Sequence, residues 1–257
     1  YLGRREAVMG DGNSITPISA TPMATNTRAS VSGDGSFAAF VSLTKDVVLA
    51  NTNGTADSAL GLPGFFNSVA LSADRNYFAC IARDTTTGLA MNSIIRIDMN
   101  TFKGEAIDLH LPLLDGPSST VITTVDEIDL SPDGQIALFD GFARTLLGDG
   151  TVVQGWSLFG VDLKTKAIFS LLGPLKNINI SDPTFARTSH QRIACEANNG
   201  TSSIVMAIDL IEGQVGLIRE HTPASLFHAY PRFSAADDFV VFTDQYFSFL
   251  TSSYQPT

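Results

Sequence analysis

One short polar turn between two apolar stretches constrains this chain more than any other feature. Ser131-Pro132-Asp133-Gly134 is entered from residues 125–130 and left through residues 135–140, both rich in β-branched or aromatic side chains. Proline fixes φ near the value needed at the second position of a type I turn, and glycine supplies the freedom of the exit. The aspartate can bond backbone amides that the turn leaves unpaired. Two short apolar runs joined in this way predict a β-hairpin.

The pattern recurs. Ser32-Gly33-Asp34-Gly35 leads into 37–42, Ser72-Ala73-Asp74-Arg75 into 77–82, Arg187-Thr188-Ser189 into 191–195, and Ser234-Ala235-Ala236-Asp237 into 239–242. With Ser32, Ser72, Ser131, Arg187 and Ser234 as anchors, the steps are 40, 59, 56 and 47 residues. Repeats of roughly 40–50 residues with several strands each mark a β-propeller. Outer strands fit at 92–98 and 104–109, 156–165 and 166–172, and 203–209 and 213–219. Asp98, Asp162 and Asp209 stand where a third strand enters a turn, and each reads as a cap on backbone amides.

The fifth repeat supplies strands near 229–234, 238–243 and 246–251, and residues 4–9 supply one at the other end of the chain. Three plus one completes a four-stranded blade, and pairing the two ends removes exposed sheet edges. The expectation is an all-β fold: a β-propeller of five four-stranded blades closed by pairing of the N- and C-terminal strands, with residues 1–257 as a single domain. The competing arrangement is a fragment of a six- to eight-bladed propeller.

Hydrophobic residues make up 44% of the chain against 16% charged, as a well-buried globular protein requires. No apolar run approaches 18 residues, so no membrane insertion is expected. A net charge of −10 with five lysines argues against a nucleic-acid partner. Cys80 and Cys195 each lie eight residues beyond their anchors, in non-adjacent blades. A disulfide needs Cα atoms within about 7 Å, so both are expected to be free, buried thiols. Abundant Ser, Thr, Asn and Gly with scarce Lys leans towards export, to an extracellular or periplasmic location. The chain begins at Tyr1 without Met, as a processed or trimmed product would.

The turn and strand of 131–139, with the strand ending Asp162-Leu163-Lys164-Thr165, resembles the repeats of TolB-like (PD40, WD40-like) β-propellers. Residues 31–42 with 51–57 resemble a bacterial variant carrying an Asp-x-Asn-Gly-x-x-Asp loop, with Asn51 in place of its first Asp. The resemblance implies blades and not an activity. That superfamily holds binding scaffolds, peptidase gating domains and polysaccharide lyases, and fold analogy does not choose among them.

Asn51, Asn53 and Asp57 offer alternating oxygen ligands around Gly54, a candidate calcium loop with a single carboxylate; an Asn-Gly turn held by its own side chains is the competing reading. No other cofactor is expected. None of the histidines shares a zinc-type spacing, and no Gly-x-Ser-x-Gly elbow is present, so no catalytic residue is assigned. The acidic Asp126-Glu127-Ile128-Asp129 run reads as a solvated channel rim. The long connections 10–27, 110–124 and 141–155 fall opposite the tight turns, and long loops on a rigid scaffold are where binding residues concentrate. Arg83, Asp84, His110, Asp115, Arg144, Asp149, His221 and His228 border that face. The expected function is a non-enzymatic scaffold binding a protein or glycan through this long-loop face, as part of an exported or surface assembly. The alternative is an enzyme or accessory domain acting on polysaccharide or peptide at the channel mouth. Convergence of His110, His221 and His228 with carboxylates within metal-ligand distance would overturn the scaffold reading, and their scattering over separate surface spots would sink the enzyme.

Overall fold

The computed structural model describes residues 8–10, 15–24, 27–54, 57–59, 65–83, 90–110, 113, 119–221 and 228–242. Within them every regular element is a strand. β1 (Val8–Gly10) and β2 (Ile15–Pro17) form a hairpin ahead of the repeats. Blade 1 holds β3 (Ser30–Val31), β4 (Phe37–Val41), β5 (Val47–Asn51) and β6 (Asp57–Ala59). Blade 2 holds β7 (Phe65–Leu71), β8 (Tyr77–Arg83), β9 (Ala90–Asp98) and β10 (Lys103–Asp108). Blade 3 holds β11 (Thr120–Leu130), β12 (Ile136–Leu146), β13 (Val152–Asp162) and β14 (Ile168–Leu172). Blade 4 holds β15 (Asn179–Phe185), β16 (Arg192–Asn198), β17 (Ser203–Asp209) and β18 (Gln214–His221). Each is a four-stranded antiparallel meander in chain order. β19 (Arg232–Phe233) and β20 (Val240–Val241) follow as a two-stranded sheet.

Among the described residues the propeller therefore has four complete blades and not the five expected. The expected closure by pairing of the chain's ends is not seen among the described residues, where β1 pairs with β2 and β19 pairs with β20 in a separate two-stranded sheet. A local hairpin satisfies its backbone without the loop-closure entropy of pairing strands from opposite ends of the chain. Of the strands expected for the last repeat, β19 and β20 fall within 229–234 and 238–243; the strand expected at 246–251 lies outside the described residues. The ring sector between blades 4 and 1 is bridged by side chains. Arg232 donates from Nη2 to Ala29 O at 3.4 Å, and the Arg187 guanidinium donates to Val31 O.

The tight turns are as the repeat predicts. In three copies the serine hydroxyl donates to the aspartate two residues on, at 2.6–2.7 Å: Ser32 to Asp34, Ser72 to Asp74 and Ser131 to Asp133. The residue three beyond each serine is left-handed (Gly35, Arg75, Gly134 and Asp237, φ 58–69°). Neighbouring turns are stitched together, Gly33 N–H to Ala73 O at 2.8 Å and Ala73 N–H to Pro132 O at 3.0 Å. In the fourth copy Ala186 N–H bonds Arg192 O, so the anchor there is Ala186, one residue before Arg187. Asp98, Asp162 and Asp209 each accept two backbone N–H groups in the turns that follow them.

The core lies between blades. Along β12, Ala137 and Phe139 pack with Ile81, Ile94 and Ile128 on the blade 2 side, while Leu138 packs with Ile180, Ile193 and Cys195 on the blade 4 side. Successive residues of a strand face opposite ways, so a strand buried on both faces must be apolar throughout. Phe40, Phe66, Phe78, Phe139 and Phe159 are fully buried, and truncating one to Ala costs about 3–5 kcal/mol. Gly160 has no room for a side chain: a Cβ there would stand 2.3 Å from the Phe169 ring. Cys80 and Cys195 are free and buried, as expected, and burial raises both thiols, Cys195 to about 12.

Candidate functional site

The innermost strands of blades 2, 3 and 4 share a defect. Pairing with the next strand slips between Phe66 and Ser68 in β7, between Val125 and Ile128 in β11, and between Ser181 and Thr184 in β15. Such bulges re-aim side chains without ending the strand. Pro183, which cannot donate to a ladder, lies in the third bulge beside Asp182, itself left-handed at φ 53°. Four residues before each turn anchor stand Arg28, Ser68, Glu127, Asp182 and Tyr230; two before it stand Ser30, Ala70, Asp129, Thr184 and Arg232. The repeat thus brings chemically different residues to equivalent places along the axis.

These residues bind across blades. Arg28 Nε lies 3.2 Å from Glu127 Oε2, both side chains buried, and Arg28 Nη2 donates to Ile128 O and Pro183 O. Ser68 Oγ donates to Glu127 Oε2 at 2.7 Å and accepts Ile128 N–H. Asp129 Oδ2 accepts from Thr184 Oγ1 at 2.8 Å, Phe185 N at 2.9 Å and Arg232 Nη1 at 3.2 Å. Asp140, opposite the β11 bulge, accepts Glu127 N–H at 2.7 Å and Asp182 N–H at 3.2 Å, clamping two blades. Glu196 holds the corresponding place in β16 and accepts Ala229 N–H at 2.8 Å. The Asn67 amide donates to Asp126.

Burial and charge set the protonation of this network. Burial pushes Glu127 up to about 7 despite Arg28. It pushes Asp140 well above the carboxylate range, helped by Asp182 and Asp126. Asp129 goes the other way, because Arg232 and Arg28 outweigh its burial. Burial likewise opposes the charge on Arg28, but Glu127, Asp129, Asp182 and Asp140 raise it further. Burial and Arg28 lower Arg232 to about 10.

Towards the end of the axis away from the tight turns, three groups converge. His228 Nδ1 lies 2.7 Å from Asp182 Oδ2, and the ligand atoms of Asp182, Glu196 and His228 all fall within 4.8 Å of one another. Both carboxylates are buried, while the His228 side chain is 52% exposed, so the cluster opens to solvent through the imidazole. The hydrogen bond to Asp182 raises His228 to about 9, and burial raises Glu196 to about 7. Tyr230 stands beside it, ring centroids 5.6 Å apart.

Of the expected binding residues, only His228 joins this cluster among the described residues. His110 is exposed and pairs with Asp108 at 2.7 Å, following β10. Arg144 lies near the far end of β12, and Asp149 caps the exposed 147–151 turn through Thr151 N–H at 2.8 Å. Arg83 ends β8 and His221 ends β18; Asp84 and Asp115 lie outside the described residues. At the calcium candidate, Asn51 O accepts Gly54 N–H at 3.0 Å in a turn, and Asp57 opens β6. The acidic run is not a solvated rim: Glu127 and Asp129 are buried and ion-paired. Asp182 and Glu196 went unread in the sequence. The one local signal was Pro183, which is admitted within a strand only at an edge or a bulge.

No family model and no curated protein sequence matches the chain. Solved structures match it as a fold. A protein assigned as TolB from Agrobacterium tumefaciens superposes with a TM-score of 0.60 at 13% identity, over 90% of this chain and 78% of that one. An oligogalacturonate lyase in complex with manganese gives 0.56 at 8% identity, over 89% and 76%. The tricorn protease gives 0.51 at 11% identity, over 84% of this chain and 24% of that one. At these identities the similarity establishes the propeller fold and nothing finer.

Proposed function

We propose that the protein is a non-enzymatic propeller of the TolB-like repeat type that binds a protein or glycan partner at its long-loop face, centred on the axial mouth at His228. One observation carries this reading: the two deeper arginines of the axis are consumed by cross-blade ion pairs, whereas His228 presents an exposed charged ring next to buried carboxylates. A scaffold of this kind offers a preformed polar site at little ordering cost. The sparse lysines and abundant small polar residues fit an exported, extracellular or periplasmic setting.

The test is binding of the intact protein to arrays of polysaccharide fragments and of peptide segments. Substitution of His228, Arg144 or Asp149 by Ala should weaken a hit at least fivefold, and substitution of Asp34 or Asp133 in the tight turns should leave it unchanged. A hit lost equally from both faces would sink the assignment. The second reading, an enzyme acting on polysaccharide or peptide at the same mouth, is favoured by the convergence of Asp182, Glu196 and His228. Turnover of an array hit that is abolished in His228→Ala would establish it.

A further inference from the structure

We propose that Asp182, Glu196 and His228 form a binding site for a divalent transition-metal ion, with zinc the best match. Three different elements deliver the ligands: the bulge of β15, the β16 strand and the segment before β19. Two donors each about 2.1 Å from one ion stand roughly 3–3.5 Å apart. His228 Nδ1 and Asp182 Oδ2, at 2.7 Å, are already near that spacing, and Glu196, within 4.8 Å, needs only a small side-chain adjustment. One imidazole nitrogen with two carboxylates suits zinc, whereas calcium prefers six or more oxygens.

Charge balance points the same way and is independent of ligand geometry. The axial network holds six carboxylates (Asp126, Glu127, Asp129, Asp140, Asp182 and Glu196) against three cations (Arg28, Arg232 and His228). Both arginines are committed elsewhere, Arg28 to Glu127 and Arg232 to Asp129. Among the described residues, the ion pair that Asp182 makes is with the half-exposed imidazole of His228, beside the buried Glu196. A second positive charge there offsets the repulsion between two carboxylates held this close together. The surroundings are built for the role: Asp140 fixes Asp182 through its backbone N–H, and Ala229 N–H orients Glu196. Three protein ligands leave coordination positions open to water or to a donor group of a partner. The ion is detected on the protein alone, so the proposed partner binding and this site stand or fall separately.

Calorimetric titration of the 257-residue chain, stripped with chelator and desalted, tests the site with zinc, manganese and calcium in turn. Zinc should bind with one-to-one stoichiometry and more tightly than calcium. His228→Ala and Glu196→Gln should each weaken it at least tenfold. His110→Ala is the control, because His110 and Asp108 form the same 2.7 Å pair with no third ligand among the described residues, and it should bind zinc as the parent does. His228 is half-exposed, so its variant is expected to keep the parental far-ultraviolet spectrum. Failure of zinc to saturate at one site, undiminished binding by His228→Ala, or equal loss in His110→Ala overturns the proposal; tighter calcium binding overturns the choice of ion.

Discussion

In three of the tight turns the serine and aspartate side chains find their main partners within five residues, whereas the charged side chains of the axis a few residues away find theirs across blades. Ser131 serves Asp133, Gln135 and Ile136 in its own turn. Arg28, by contrast, reaches Glu127 and the carbonyls of Ile128 and Pro183 from the other end of the ring. A motif that closes locally can be copied into successive blades, and the fourth turn, which lacks the serine and aspartate, borrows Asp237 of the next repeat to accept from Arg187 N–H and Thr188 instead. A network that closes across blades needs a different residue in each copy, because each must complement its neighbour. Repetition builds the scaffold, and departure from repetition builds the site.

Removing Arg28 should break this contrast most severely. Arg28→Ala leaves Glu127 buried without its counter-charge, and breaking one half of such a pair costs about 3–5 kcal/mol. Urea denaturation reads this as a large fall in midpoint. The double variant Arg28→Met with Glu127→Gln should recover most of the loss, because it removes both charges together. A single variant within about 1 kcal/mol of the parent would show that the axis is not cooperative.

The same contrast decides what was legible in the sequence. The blades could be read because Ser-x-Asp carries its own chemistry within a short window. The count of four complete blades could not, since the strand signals of the last repeat and of residues 4–9 look like those of the other blades, whereas among the described residues they form only the two-stranded sheets β19–β20 and β1–β2. Glu127 and Asp129 looked like solvated surface because their partners Arg28 and Arg232 lie about a hundred residues away in either direction. His228 was identified from loop position alone. Asp182 and Glu196 were not, because only the bulge and the blade-to-blade packing bring them together.

Proton linkage gives the next largest effect. Glu127 ionises near its ordinary 4.5 in the unfolded chain but near 7 when folded, because of burial. Between those values the native state holds a proton that the unfolded state has released, so stability falls as pH rises through the window. His228 acts in the same direction at higher pH: its pairing with Asp182 stabilises fully below about 6.5 and is lost as pH rises through 9. Asp129, lowered by Arg232 and Arg28, loses its contribution only as pH falls into the acid range. Glu127→Gln should therefore flatten the decline between pH 5 and 7 by up to about 3 kcal/mol, measured by melts across that range. An unchanged slope would place the titration elsewhere.

A single turn should matter less. Ser131→Ala removes one donor and an acceptor of two backbone N–H groups, at 3.1 and 2.9 Å, for about 1–2 kcal/mol. The smallest quantity is also the most discriminating. Ser32 and Ser131 belong to turns separated by a third, and each is satisfied by its own Asp. The double variant Ser32→Ala with Ser131→Ala should therefore equal the sum of the singles within about 0.3–0.5 kcal/mol. Arg28 and Glu127, in direct contact, should couple by about 1–3 kcal/mol. Measured in one denaturation series, the two cycles compare local with cross-blade closure directly. A turn pair as strongly coupled as the axial pair would mean that the stitching of Gly33 and Ala73 to their neighbours transmits strain around the ring, and the turns would then share the cooperativity assigned here to the axis alone.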